Sequence, residues 1–422
     1  AHYSFIGFDP RGVNFSTFRD GTEIRCDDQA DLSSYFTGEV SPSNDEEYEE
    51  NVRLSNLFQT ECAQENPLWW TLSTENVVQD LEILRSAITG DEPLNFIGSS
   101  YGTTIAGMYV TEFPEHVGKI VLDSPTTVDS DPVATAVADM SANEAKFRLY
   151  LQGYADHAGM STDEAFATVM EMKKLADDDQ LIGFAGIQPN EEYESAMVSS
   201  EWLLLHGIEA LNYYPEADAV ELFNQAMDDL VSDQWNGTFE WLALDLDGYD
   251  ADSLEGNSLG TKDIIRSNEY EVMSIVNTMD YSAPPLTDEE QERVDVETAT
   301  VAPLLTKLYS DVPEFDYSGD QEFVDWLALA LEDDSIPDPS STRPDRTNTS
   351  GKQLLIVGSL HESVTPFAYA QATAELLSSP LISVDTGIHA PAAYYDNSCV
   401  NEVLIRYFVL NEVIENLNCP SS

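Results

Sequence analysis

The run Leu94-Asn-Phe-Ile-Gly98-Ser99-Ser100-Tyr101-Gly102-Thr103-Thr104-Ile-Ala-Gly-Met-Tyr109 joins a short apolar stretch to a helical one through a serine flanked by glycines. Leu94 to Ile97 reads as a buried strand, and Thr104 to Tyr109 as the start of a helix. Gly98-Ser99-Ser100-Tyr101-Gly102 fits G-x-S-x-G, a sharp strand-to-helix turn that lifts a serine hydroxyl above a sheet. Both glycines are expected to matter, because side chains there would clash where strand and helix press together. The same pattern recurs at Gly256-Asn257-Ser258-Leu259-Gly260. There it follows Tyr249-Asp-Ala-Asp-Ser-Leu-Glu255, a polar acidic loop with no strand before it. Context therefore selects Ser100 as the candidate nucleophile and leaves Ser258 as coincidence.

Outward from this turn, strand and helix signals alternate. Tyr3 to Asp9 reads as a short buried strand ended by Pro10-Arg11-Gly12. Val77, Val78, Leu81, Leu84 and Ile88 have helical spacing over 74–89, and Gly90 closes that helix. A helix over 104–113 stops at Pro114, and Lys119 to Asp123 is the next strand. From about Pro125 the pattern changes to amphipathic stretches at 142–157, 163–178, 193–207 and 216–233, read as mainly helical. Ser335-Ile-Pro-Asp-Pro-Ser-Ser-Thr-Arg-Pro344 looks like an exit linker. The first pattern then resumes: strand 353–358, helix 366–377, strand 381–385, helix 400–410. This predicts an α/β sheet domain with covering helices, split by a helical cap (lid) insertion. The expected units are 1–125 (first part of the core), 126–350 (cap and linker) and 351–422 (C-terminal part of the core).

Bulk composition narrows the function. The chain has 422 residues, 42% of them hydrophobic, enough for a large core. It carries 78 acidic against 18 basic residues, a formal net charge of -60. Such a chain repels nucleic acid and anionic lipid, so neither is an expected partner. The acid is spread along the chain and reads as a solubilising surface suited to high salt or low pH. No stretch of 18 or more apolar residues suggests a membrane span. The sequence begins at Ala1 rather than Met, consistent with a removed leader or a late start. Four cysteines, Cys26, Cys62, Cys399 and Cys419, lack C-x-x-C spacing and suggest structural disulfides in an oxidising compartment. Sequence alone allows three pairings. Asn14, Asn236 and Asn348 begin N-glycosylation acceptor patterns, which adds weak support for secretion.

A serine hydroxyl needs a base to become a nucleophile. Of six histidines, His389 follows the strand ending at Asp385 and precedes the final helix. That is where the last histidine of an α/β-hydrolase belongs. The acid that orients it should lie between serine and histidine in chain order. Glu362, in the loop after strand 353–358, is the candidate; Asp123, which also ends a strand, is the competitor and reads as structural. The backbone N–H of Tyr101 is the expected oxyanion donor. No metal or organic cofactor is implied.

Phe8-Asp9-Pro10-Arg11-Gly12, Gly98 to Thr103, and Phe113-Pro-Glu-His-Val-Gly-Lys-Ile-Val-Leu-Asp123 resemble the tripeptidyl and prolyl aminopeptidases of the α/β-hydrolase fold. Glu362-Ser-Val-Thr-Pro366, Gly387-Ile-His389, Cys399 and Cys419 resemble the closing part of the tripeptidyl aminopeptidase-like branch. The resemblance covers about 1–125 and 350–420. It implies a secreted serine peptidase acting on peptides through Ser100, His389 and Glu362. It also implies the pairings Cys26–Cys62 and Cys399–Cys419. Ala196-Met-Val-Ser-Ser-Glu201-Trp202 resembles a cap segment with an acidic residue, so Glu201 is the candidate holder of a substrate's free ammonium. The chain departs from the family in three ways. Glu362 stands where Asp is usual, and Asn14 where Gly is common. The family's His-Gly-Gly-Pro-Gly loop, which helps form the oxyanion hole, is absent upstream of Asp9. That absence leads to the expectation that the chain starts partway into the fold, with strand 3–9 and strand 94–98 lacking a shared neighbour. A carboxylesterase or lipase with the same triad is the rival reading, and an inactive fragment or non-catalytic binding protein the other.

Overall fold

A computed structural model of the chain describes residues 3–13, 63–66, 68–127, 131–177, 183–185, 196–198, 218–232, 269–281, 286–308 and 354–421, with positions 16, 24, 53 and 208. Helix α1 (Thr74–Thr89) leads into strand β1 (Leu94–Ser99), helix α2 (Tyr101–Glu112) and strand β2 (Val117–Asp123). Between β2 and the next sheet strand lie α3 (Pro132–Ala158), α4 (Thr162–Asp177), an antiparallel pair β3 (Gly183–Ala185) and β4 (Ala196–Val198), α5 (Asp218–Val231), α6 (Glu269–Tyr281), α7 (Asp288–Val301) and α8 (Pro303–Leu308). The chain then gives β5 (Leu355–Ser359), α9 (Phe367–Leu376), β6 (Leu381–Val384), α10 (Pro391–Tyr394), α11 (Ser398–Phe408) and β7 (Leu417–Cys419).

The main sheet has the order β1-β2-β5-β6-β7, with every pair parallel. Successive side chains of a strand point to opposite faces. Ile120, Leu122, Leu354 and Ile356 therefore pack on one face with α1, α2 and α9, through Val77, Leu81, Ile105, Tyr109, Ala370 and Ala374. Val121, Leu355 and Val357 pack on the other, with Val400, Val403 and Tyr407 of α11. Helices on both faces of a parallel sheet make the expected α/β architecture. A separate apolar cluster joins α3, α4, α5 and α8 through Phe147, Leu151, Val169, Phe223 and Leu305.

Two expectations are corrected. Residues 3–10 form no strand, and Phe5 and Ile6 are 88% and 63% exposed. Tyr3 instead sets its ring edge-on to Phe408 and donates its hydroxyl to the Phe408 carbonyl. Among the described residues β1 is an edge strand whose one partner is β2. A short apolar run becomes a strand only where a neighbouring strand takes its backbone groups, and among the described residues none pairs with it. Second, the stretch 193–207 contains strand β4, not a helix, where it is described. The helix over 74–89 closes at Gly90 as expected, and within it Leu84 and Ile88 turn to solvent, being 38% and 53% exposed. Beyond Leu81 the inward position of α1 goes to Arg85, which donates to the carbonyls of Gly90 and Glu92. Cys399 and Cys419 form a disulfide, tying the start of α11 to β7. Cys26 and Cys62 lie outside the described residues, as do Asn14, Asn236, Asn348 and Ser258.

Candidate active site

Strand β1 carries Ser99 opposite Asp123 of β2, and the chain then turns sharply into α2. Ser100 sits in the turn at φ 53° and ψ -122°, a conformation unfavourable for any residue with a side chain. Such strain costs on the order of 1–3 kcal/mol and persists only where the surroundings impose it. Three contacts impose it here. The Ser100 N–H donates to the Asp123 carbonyl at 3.0 Å, and the Ser100 carbonyl accepts from the N–H and the hydroxyl of Thr103 at 2.9 and 2.6 Å. A Cβ on Gly98 would lie 2.2 Å from the Gly102 carbonyl oxygen, so that position must be glycine. A Cβ on Gly102 would meet nothing within 4 Å, so the two glycines, expected to be alike, are not. Tyr101 is the first residue of α2, so its N–H belongs to the electropositive end of that helix.

The loops after β5 and β6 are held side by side by Leu360 N–H to the Val384 carbonyl and His361 N–H to the Thr386 carbonyl. They bring Glu362 and His389 together, with 2.6 Å between Glu362 Oε2 and His389 Nδ1. The Glu362 side chain is 1% exposed and that of His389 19%. A buried carboxylate is tolerable only when hydrogen-bonded. Glu362 Oε2 also accepts from Thr365 Oγ1 at 3.0 Å, and Oε1 accepts from Ser124 Oγ at 2.5 Å. Asp123 lies elsewhere. Its carboxylate, fully buried, accepts from the N–H groups of Ala392 and Ala393 at 3.1 Å and from Ser99 Oγ at 3.3 Å. Burial pushes its pKa up to about 7; the N–H donors oppose the rise and the nearby Glu362 charge adds to it. Asp123 thus caps α10, the structural role expected of it.

The other described histidines meet different partners. His116 Nδ1 lies 2.9 Å from Glu82 Oε1, a close contact without hydrogen-bond geometry. Exposed His157 is 3.9 Å from Asp228, and half-exposed His361 is 2.8 Å from Asp385. Among the described residues no cluster of three His, Cys, Asp or Glu side chains could hold a metal ion.

The segment between β2 and β5 meets the sheet's loops and helices at three places near the site. Lys146 of α3, buried, donates from Nζ to the Gly387 carbonyl at 2.9 Å. Burial lowers its pKa and the Glu362 charge opposes that. Tyr369 of α9 donates to Asp139 of α3 at 2.5 Å. Buried Asp280 of α6 accepts from the N–H of Thr74 at 3.0 Å and from its hydroxyl, and that hydroxyl is 2.6 Å from the Tyr101 hydroxyl. Glu201 lies outside the described residues. Sequence reading missed Ser124, Thr365, Lys146 and Asp280. Thr365, three residues from Glu362, and Ser124, beside Asp123, were at least adjacent to marked positions. Nothing in the local sequence singles out Lys146 or Asp280, because their contacts span 241 and 206 residues.

Comparison with known proteins bears on the fold. The alpha/beta hydrolase fold family matches residues 1–181, and a family described as TAP-like protein matches residues 326–419. The chain has the α/β-hydrolase fold, and its similarities point to the tripeptidyl aminopeptidase-like proteins of that fold. It is 30% identical over 132 residues to a tripeptidyl aminopeptidase of Streptomyces lividans, which covers 31% of this chain but 24% of that protein. It is 24% identical to the serine protease Hip1 of Mycobacterium tuberculosis, over 96% of this chain and 72% of that protein. It is 26% identical to carboxylesterase B of Mycobacterium tuberculosis, over 97% of this chain and 71% of that protein. No helix among the described residues is long and apolar enough to cross a membrane.

Proposed function

We propose that the chain is a secreted serine hydrolase that cleaves peptide bonds near a free amino terminus, with Ser100 as nucleophile, His389 as base and Glu362 as the acid behind it. The observation that carries this is the strained serine between β1 and α2, together with a histidine bound to a buried carboxylate from the ends of β5 and β6. Glu362 engages Nδ1, which leaves Nε2 as the nitrogen that faces the reaction. In the first step Nε2 takes the Ser100 proton as Oγ attacks the scissile carbonyl. The imidazolium so formed is stabilised by Glu362. The oxyanion is held by the Tyr101 N–H. His389 then gives its proton to the leaving amine, and the acyl-enzyme is hydrolysed by water that His389 activates in turn. The helical insertion is the proposed lid, and Glu201 the proposed partner of the substrate's ammonium. The disulfide Cys399–Cys419 supports an oxidising compartment.

The similarity to a carboxylesterase along nearly the whole chain keeps ester hydrolysis as the second reading. A fluorophosphonate probe should label Ser100, and labelling that survives Ser100→Ala sinks the mechanism. Fluorogenic peptides with free and acetylated amino termini, assayed beside a simple ester, decide the substrate. A lost charge-assisted hydrogen bond of about 1.5–3 kcal/mol corresponds to roughly a ten- to hundredfold lower kcat/KM for the acetylated peptide. Equal turnover of both forms would favour the esterase or an endopeptidase. Unchanged selectivity in Glu201→Gln would remove that residue alone.

A further inference from the structure

Ser124 is fully buried, sits at φ 52°, and is pinned by its N–H to the Val357 carbonyl of β5 at 2.8 Å. A positive φ favours glycine, yet the residue here has a hydroxyl, and both functions of that hydroxyl are engaged. An ionised carboxylate can only accept, so the Ser124 proton goes to Glu362 Oε1 at 2.5 Å. Ser124 Oγ itself accepts the N–H of Ala390 at 3.0 Å. Ala390 directly follows His389. One side chain therefore holds the carboxylate on the oxygen not used by histidine, and also the backbone next to that histidine. Its neighbour Asp123 holds the Ser100 N–H through its carbonyl and Ala392 and Ala393 through its carboxylate. Two consecutive residues at the end of β2 thus touch the chain at or beside Ser100, Glu362 and His389.

We infer that Ser124 is a positioning residue that fixes Glu362 and His389 relative to one another from the end of β2. This rests on the triad proposed above. Small displacements of reacting groups cost rate steeply, up to about a hundredfold for roughly an ångström. Ser124 touches no substrate, so its loss should lower kcat and leave KM nearly unchanged. Removing a donor from Glu362 also makes the Glu362–His389 pair hold its proton more tightly, since that hydrogen bond favours the carboxylate. The acid limb of the kcat/KM profile should then move to higher pH.

The test uses the full chain, hydrolysis of a simple ester across pH, and fluorophosphonate labelling of Ser100. Ser124→Ala is expected to lower kcat about ten- to a hundredfold and to raise the acid limb. Ser124→Gly relieves the positive φ while also removing the hydroxyl, and it should do the same. A Ser124→Gly enzyme with wild-type kcat and acid limb would overturn the proposal. A uniform loss of active fraction with an unmoved limb would also overturn it, as a purely structural effect. In a Glu362→Gln background Ser124→Ala should add little, because the group it acts through is gone. Full additivity there would overturn the route through Glu362. If Glu362→Gln alone keeps wild-type turnover, the triad reading itself fails. If Glu362→Gln is crippled while Ser124→Gly is not, the triad stands and only the Ser124 proposal falls.

Discussion

At residue scale the two glycines of the elbow separate what a pattern says from what a structure requires. Gly98→Ala places a Cβ 2.2 Å from a backbone carbonyl, which no side-chain rotation relieves, so the turn must open. We expect that variant to lose about a hundredfold or more in the rate of Ser100 labelling. Gly102→Ala, whose Cβ meets nothing, should label within a few-fold of wild type. Equal damage from both would show that the elbow is held by something other than that contact. The G-x-S-x-G spelling and the places of His389 and Glu362 after their strands were legible because motif and chain order carry them. Ser124 was not, because its role depends on two loops more than 230 residues away. A second prediction concerns Glu82. Its hydrogen bonds with Arg85 hold its pKa down at about 2, against the opposing effect of burial, and the Tyr109 hydroxyl and the Arg85 charge assist. A carboxyl depressed in the folded state stabilises the fold above its unfolded pKa of about 4.3. That contribution is lost as pH falls from there toward 2. Glu82→Gln should therefore lower the unfolding midpoint at pH 7 and lose less of its stability than wild type between about pH 4.3 and 2. Parallel acid-denaturation curves for the two proteins would refute the linkage.

At the scale of elements, the disulfide and the cap contacts make different predictions. Cys399–Cys419 joins α11 to the outermost strand β7, 20 residues apart. Replacing both cysteines by serine should cost about 2–4 kcal/mol, read as a lower unfolding midpoint. Mild reductant should then lower the midpoint of wild type by more than that of the double variant. Asp280 makes a different kind of link, because a carboxylate from α6 caps the first turn of α1 and meets Tyr101 through the Thr74 hydroxyl. Asp280→Ala leaves the buried Thr74 N–H without that acceptor, at a cost of about 1–3 kcal/mol. Faster hydrogen exchange is expected in both the start of α1 and α6; exchange unchanged in α1 would break the link. The regular elements were legible where a period persisted, as at 74–89. Segment 3–9 was not, since four or five apolar residues cannot declare whether a neighbour will pair with them. The start of α2 was placed three residues late because the elbow feeds the helix directly at Tyr101.

At the scale of the molecule the net charge of -60 is a standing self-repulsion. Screening shortens its reach from about 30 Å at 0.01 M salt to about 3 Å at 1 M. The unfolding midpoint should therefore rise with sodium chloride over that range, and a flat or falling midpoint would show that the acids are already neutralised locally. The alternation that fixed the sheet class said nothing about this balance, because charge governs solubility and association rather than topology. The pairing of β2 with β5 has a consequence in time. Val121 to Asp123 meet Leu355 to Val357 only after the whole insertion has been made. Ser124 then waits further for Glu362 and Ala390, and Asp123 for Ala392. On the ribosome the nucleophile turn can form early, but the residues that would arm it arrive more than 230 positions later. A nascent chain halted anywhere between β2 and β5 holds Ser100 without Glu362 or His389, so the proposed triad cannot assemble before residue 389 has been made.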